Sequence, residues 1–208
     1  MTITRNQITA LLLAGGKGSR MKFTDKPLIK LGNKTIIEWI FSEAENHINR
    51  FVINVNQNHE LYDCFGFPVI PDQPSEHAGP LIGIRSGMEF IATEKELQLP
   101  HFLMCLPGDV PFFPKQLIPN LLEEMENNPC DVVFTQCGEQ IQPLFSLWSY
   151  SARHIIRNAI KDGLYGPRQI IPLLDSRIVS IDNVSNLEFL NINSKRDLVF
   201  AKKLLNRH

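Results

Sequence analysis

The chain has 208 residues, 43% of them hydrophobic and 21% charged, with 21 Lys and Arg against 22 Asp and Glu. At about 150 residues per domain this length reads as one domain, and the apolar content excludes a wholly disordered chain. A formal charge of -1 lacks the basic surplus of a general polyanion binder, so neither nucleic acid nor a membrane surface is an expected partner, whereas a small anion held by a local cluster is.

Ile8–Leu13 is a short apolar run that stops at a glycine cluster and predicts a buried strand. The loop from Gly15 to Pro27 follows, and Thr35-Ile-Ile-Glu38 then matches a capping box, with Ile37, Ile40, Phe41 and Ala44 at helical spacing behind it. Phe51–Val55 predicts a second strand and Pro68–Ile70 a third. A helix beginning near Pro80 shows Leu81, Ile84, Met88 and Ile91 on one face. Phe102–Leu106 predicts a fourth strand, Ile118, Leu121, Leu122 and Met125 a helix, and Asp131–Thr135 a fifth strand. Strand and helix alternating at this spacing predict an α/β domain of three layers on a mostly parallel sheet. Such a sheet binds ligands beyond the carboxyl ends of its strands, which gathers the loops starting at Ala14, Asn54, Pro71 and Pro107 on one rim. The last third predicts a strand at Pro143–Trp148, a helix at Ala152–Lys161, a loop at Gly163–Pro167 and a strand at Ile178–Ile181. A capping-box-like start at Ser194–Asp197 leads a terminal helix with Leu198, Ala201 and Leu205 inward.

No apolar run approaches the ~20 residues of a membrane span, and the polar opening Met1–Gln7 does not read as a signal peptide. The cytoplasm is the expected compartment. Cys64, Cys105, Cys130 and Cys137 stand 41, 25 and 7 positions apart, with no CxxC pair or zinc spacing; reduced, mostly buried thiols are expected. The six histidines show no ligand spacing, and most read as scattered surface residues.

Three constellations carry chemistry. Gly15, Gly16 and Gly18 let a ligand approach the backbone, and Lys17, Arg20, Lys22 and Lys26 surround them. Three glycines and four cations within twelve residues point past a mere tight turn to phosphate binding. The loop is neither GxxxxGK[ST] nor GxGxxG, because Met21 stands at the third glycine position. In Leu106-Pro-Gly-Asp109-Val-Pro111 a carboxylate follows a strand between prolines, a position that suits either a hard divalent cation such as Mg²⁺ or a turn cap. Gly79-Pro80 opens a helix whose amides can face an anion, or is ordinary helix punctuation.

Taken together, Leu13–Met21, Asp25-Lys26, Asn54, Pro71-Asp72, Gly79-Pro-Leu-Ile-Gly83, Leu106–Pro111 and Asn191–Leu198 resemble the molybdenum cofactor guanylyltransferases, within the α/β (Rossmann-like) nucleotidyltransferases. The likeness runs from about residue 8 to 205 of the chain. It implies a single nucleotidyltransferase domain in which the terminal phosphate of molybdopterin attacks the α-phosphate of GTP and pyrophosphate leaves. It further implies that Leu13, Ala14 and Gly15 hold the nucleotide, with Lys26 on its phosphates, Asn54 and Asp72 on the guanosine and Asp109 on Mg²⁺. Arg20, Gly79, Asn191 and Asn193 fall on the pterin side, and Arg20, Lys26 and Asp109 are the expected catalytic residues. Transient contact with molybdoenzymes or their chaperones is an expected partnership. Two positions depart from the family pattern: Lys22 replaces the usual glycine after Arg-Met, and Gln142-Pro143 stands where His-Pro is common. The alternatives are transfer of CMP, transfer to a sugar phosphate, and a non-catalytic nucleotide-binding adaptor. The base pocket at Ala14–Gly16, Asn54 and Asp72 is what separates the first two, since small residues and a carboxylate suit the paired donors of guanine, which cytosine lacks; retention of Asp109 speaks against the last.

Overall fold

The computed structural model describes residues 2–15, 25–73, 79–93, 101–182, 185 and 187–205. The first apolar run forms β1, Ile8–Leu13. A two-residue hairpin, β2 (Lys30–Leu31) and β3 (Lys34–Thr35), turns at Gly32 with φ of 70° and leads into α1, Ile36–Ala44. The capping box at its start is formed: the Glu38 carboxylate accepts from the Thr35 N–H at 2.6 Å, and the Thr35 hydroxyl accepts from the Glu38 N–H. The bonds from the Thr35 backbone and hydroxyl hold the Glu38 carboxyl below its ordinary range.

The chain then runs through β4 (Phe51–Asn54), β5 (Val69–Ile70), α2 (Pro80–Ala92), β6 (Phe102–Pro107), α3 (Leu117–Asn127), β7 (Val132–Cys137) and β8 (Gln140–Ser149). It ends with α4 (Arg153–Lys161), a short α5 (Pro167–Ile170), β9 (Ser176–Ile181) and α6 (Lys195–Leu205). Seven strands make one sheet in the order β5-β4-β1-β6-β8-β7-β9. β8 runs antiparallel to both neighbours and every other pairing in the sheet is parallel.

Side chains alternate across the sheet, as a strand period of two requires. Ile8, Ala10 and Leu12 of β1, with Phe102, Met104 and Leu106 of β6, join the core under α1 and α3. Leu11, Leu103 and Cys105 join the core under α2 and α4. Both faces are therefore dry, which is why the central strands read as unbroken apolar runs.

Several sequence expectations change. β8 begins three residues before Pro143, because Gly138 takes φ of 57° and closes a tight hairpin that pairs Cys137 with Gln140. Pro143 has no N–H to give, and the β7–β8 register shifts between Phe134 and Thr135. β6 pairs with β8 only as far as Cys105, so Leu106 and Pro107 pair with β1 alone. Of the four free cysteines only Cys105, on a central strand, is buried; Cys64 is exposed and the others are intermediate, because they sit at strand ends and on loops. His101 is not a surface histidine: it is 1% exposed and its Nε2 pairs with the Thr9 hydroxyl at 2.9 Å. Among the described residues no helix is long and apolar enough to cross a membrane.

Gly83 shows how tightly α2 lies on the sheet. A Cβ there would stand 2.5 Å from Asn54 Oδ1 and 2.7 Å from Leu13 Cδ2. Alanine gains up to about 1 kcal/mol of helix propensity, but Asn54 is buried and hydrogen-bonded and cannot retreat. We expect Gly83→Ala to lower stability by about 1–2 kcal/mol net in urea denaturation. A parent-like or higher value would mean that α2 can lift from the strand.

Candidate active site

The parallel register sets three strand ends level. Leu13, the last residue of β1, lies opposite Asn54 on one side and Pro107 on the other, and Asn54 lies opposite Ile70. The chain crosses from β5 back over β1 to β6, so the strand order reverses beside β1, where α/β sheets open a crevice for ligands. Two backbone bonds fix the loops there: Ala14 N–H donates to the Asn54 carbonyl at 2.9 Å and Gly108 N–H to the Leu13 carbonyl at 3.0 Å. A Cβ on Gly108 would sit 2.9 Å from that same carbonyl oxygen, so only glycine permits the approach that brings Asp109 to the rim.

On the β4–β5 side stands a cluster of amides and one carboxylate. Asn54, 3% exposed, donates from Nδ2 to Asp72 Oδ1 at 3.0 Å and to the Ile70 carbonyl at 3.3 Å. Asn56 donates from Nδ2 to Asp72 Oδ2 at 2.7 Å and accepts from the Asp72 N–H at 2.8 Å. Gln73 N–H donates to Ser86 of α2 at 2.9 Å, so the end of this segment is tied to the helix. Gly15 faces the cluster, its missing Cβ 3.3 Å from Asn56 Nδ2.

On the β6 side stands a charged cluster. Lys26 Nζ lies 3.7 Å from Asp109 Oδ2 and donates to Asn193 Oδ1 at 2.5 Å. Burial raises the Asp109 carboxyl above its ordinary range; Lys26, the Asp109 backbone and the Asn191 side chain pull it back only in part. Asn191 and Asn193 flank a fully buried Ile192 and are themselves exposed and half-buried. The segment is clipped to the Asp109 loop by bonds from Ile192 N–H to the Asp109 carbonyl at 2.8 Å and from Phe189 N–H to the Phe112 carbonyl at 2.9 Å. Asp25, next to Lys26, accepts from Asn58 Nδ2 at 3.0 Å, and Asn58 holds a left-handed φ of 53° that asparagine tolerates.

The structure thus gathers Leu13, Ala14, Gly15, Asn54 and Asp72 on one side, and Lys26, Asp109, Asn191 and Asn193 on the other. Arg20 lies outside the described residues, as do Gly16, Lys17, Gly18, Lys22 and His77. Gly79 stands against a different loop, where a Cβ would meet the Tyr165 carbonyl oxygen at 2.4 Å. The suggestion that the first amides of α2 face an anion needs correction: Leu81 N–H donates to Tyr165 O and Ile82 N–H to Gly79 O. Asn56 and Asn58 carry no motif of their own: the strand period ends with β4 at Asn54, and the two side chains go to different partners, Asp72 and Asp25.

Residues 10–177 match the family model of the MobA-like NTP transferase domain. The chain is 33% identical over 201 residues to the molybdenum cofactor guanylyltransferase of Mannheimia succiniciproducens, spanning 95% of this chain and 98% of the relative. It is 30% identical over 207 residues to that of Polynucleobacter asymbioticus, spanning 98% and 100%. The solved structure of molybdopterin-guanine dinucleotide biosynthesis protein A from Archaeoglobus fulgidus shares the fold, with a TM-score of 0.75 at 20% identity over 96% of this chain and all of that one. The fold and the matched domain define an α/β nucleotidyltransferase. Within that class, the chain belongs to the molybdenum cofactor guanylyltransferase family.

The raised Asp109 carboxyl has a stability consequence. The native state holds that proton more tightly than the unfolded chain, so stability falls as pH rises from the ordinary aspartate range, and the cost is complete above the raised native value. In metal-free, nucleotide-free buffer, Asp109→Asn is expected to melt above the parent at neutral pH. The gap should close as pH falls through the raised native range towards the ordinary aspartate range. A variant that melts below the parent at pH 7 would show that the Lys26 pairing outweighs burial.

Proposed function

We propose that this chain transfers the guanylyl group of GTP to the terminal phosphate of molybdopterin. A phosphate oxygen of the pterin forms the new bond to the α-phosphorus, the bond to the β-phosphate oxygen breaks, and pyrophosphate leaves. The observation that carries the reading is the opposition of two unlike clusters across the end of β1: a pinned carboxylate that only accepts on one side, a lysine and a desolvated carboxylate on the other. That pair of sites matches a ligand with paired donors at one end and phosphates at the other.

In this reading the Asp72 carboxylate accepts from N1–H and the 2-amino group of guanine, with Asn54 behind it. Leu13, Ala14 and Gly15 form the floor between base and phosphates, where the small Ala14 and Gly15 leave room. Lys26 neutralises the phosphates. Asn191 and Asn193, brought beside Lys26 and Asp109, receive the attacking phosphate from the pterin side, a role that the family resemblance extends to Arg20 and Gly79. Because the nucleophile is already an ionised phosphate, the chain supplies position and charge rather than a general base.

Asp109 would hold Mg²⁺. Its carboxylate carries more desolvation than Lys26 offsets, so a divalent neighbour would relieve it. The described residues offer no cluster of three or more acidic, His or Cys ligands, a donor set that suits a cation keeping water and phosphate oxygens in its shell. When bound, Mg²⁺ supplies countercharge to the phosphates. Four free cysteines suit the cytoplasm.

Two measurements test this. GTP with Mg²⁺ should raise the melting temperature more than CTP with Mg²⁺, by the equivalent of about 2.7 kcal/mol at a hundredfold excess over Kd; an equal or larger shift with CTP would remove the guanine assignment. Asp109→Asn should lose about 10²–10³ in turnover to molybdopterin, or about 3–4 kcal/mol, while folding normally. Near-parent turnover at saturating Mg²⁺ would make Asp109 a turn residue.

A further inference from the structure

We propose that Asn56 is a specificity-determining positioning residue, aiming the Asp72 carboxylate so that it accepts two parallel donors from a purine edge. The inference rests on the guanylyl-transfer reading and adds to it a residue that touches no ligand atom.

Asn56 lies two residues beyond β4 and Asp72 two beyond β5, so the parallel register Asn54↔Ile70 brings them level. The bond from Val55 N–H to the Ile70 carbonyl at 3.0 Å continues that ladder to the rim. Past it the backbone pairing gives way to side chains. Asn56 uses both ends of its amide on one residue, accepting from the Asp72 N–H and donating to Asp72 Oδ2. Asn54 donates to the other oxygen, Oδ1. The carboxylate is thus held at both oxygens and at its own backbone, and its plane is fixed.

A carboxylate oxygen accepts at about two sites. With one site on each oxygen taken by an asparagine, one on each remains for a ligand that offers two adjacent donors. Guanine matches that with N1–H and the 2-amino group side by side. Adenine and cytosine each place a ring nitrogen acceptor in that edge, against a carboxylate that has nothing to donate. Asn56 is exposed, so its bonds to Asp72 contribute little to folding, and their work is orientation. Its neighbour on the other side is Gly15, which couples the aim of the carboxylate to the loop after β1.

The test is nucleotide binding with Mg²⁺, using GTP, ITP (which lacks the 2-amino group) and CTP, on the parent, Asn56→Ala, Asp72→Ala and the double variant. The parent should favour GTP over ITP by about tenfold or more, as for one hydrogen bond to a charged group. Asn56→Ala should lose most of that preference, through weaker GTP binding with ITP little changed. In turnover the loss should fall on KM for GTP rather than on kcat, and the melting temperature of the free protein should stay near the parent's. In the Asp72→Ala background, Asn56→Ala should remove no further preference, because it acts through that carboxylate. An unchanged GTP-to-ITP ratio in Asn56→Ala overturns the inference. So does an equal loss for all three nucleotides with a lower melting temperature, which would make Asn56 a loop fastener. If the parent itself does not prefer GTP to CTP, the guanylyl reading falls and takes this inference with it, an outcome visible before any variant is made.

Discussion

The rim of the site depends on three parallel strands ending at the same height. Leu13 is opposite Asn54 and Pro107, and the first loop residues on each side bond across: Ala14 to Asn54, Gly108 to Leu13. A slip of one residue in β4 would carry Asn54 to the other face of the sheet and away from Asp72. The same slip in β6 would carry Asp109 away from Lys26. The dry cores on both faces resist such slips, since Leu12 and Leu11 pack to opposite sides and neither tolerates exchange. Packing energy spent on the interior thereby fixes, at the rim, distances between groups that belong to separate loops.

The two clusters are electrostatically unlike. Asp72 is met at both oxygens by amide donors, which support a carboxylate without neutralising it. Asp109 is met by a lysine and by burial, and burial prevails. The first arrangement suits a fixed recognition contact. The second leaves negative charge short of compensation in a partly dry place, where each added positive charge has a larger effect than it would in water. Sites that bind polyanions through cations are commonly built this way, with function and stability pulling in opposite directions.

The central fold was legible because its strands are buried on both faces and its helices carry a clear stripe; Ile8–Leu13 and the Thr35 capping box are found where periodicity and cap chemistry put them. The edges were less so. The start of β8 depends on a glycine at positive φ and on a proline that interrupts the pairing, neither of which shows in hydrophobic periodicity. At the site, Asp109 and Lys26 announce themselves by residue type, but their 3.7 Å separation is a fact of three dimensions. Gly83 and Gly108 stand in recognisable motifs, yet what requires them is a neighbour's atom, Asn54 Oδ1 in one case and the Leu13 carbonyl in the other. Asn56 and Asn58 went unread because asparagine past a strand is so common in turns.

The charged cluster also closes the fold upon itself. Lys26 and Asn193 are 167 positions apart and share a hydrogen bond. Between them the chain traverses nearly the whole sheet before the segment at Asn191–Asn193 returns to the rim. That return is held by core burial of Ile192, by backbone bonds to the Asp109 loop, and by Asp197, which accepts from the N–H groups of Asn193 and Ser194 at the start of α6. The Asp72 cluster needs none of this, because Asn54, Asn56 and Asp72 lie within 18 positions of one another. The Asp72 cluster is therefore local in sequence, built by one crossover unit. The Lys26 cluster is non-local and draws on the last elements of the chain. The Asp72 carboxylate is held by asparagines from β4 and the loop after it, whereas Lys26 and Asp109 meet two amides that only the C-terminal segment can bring.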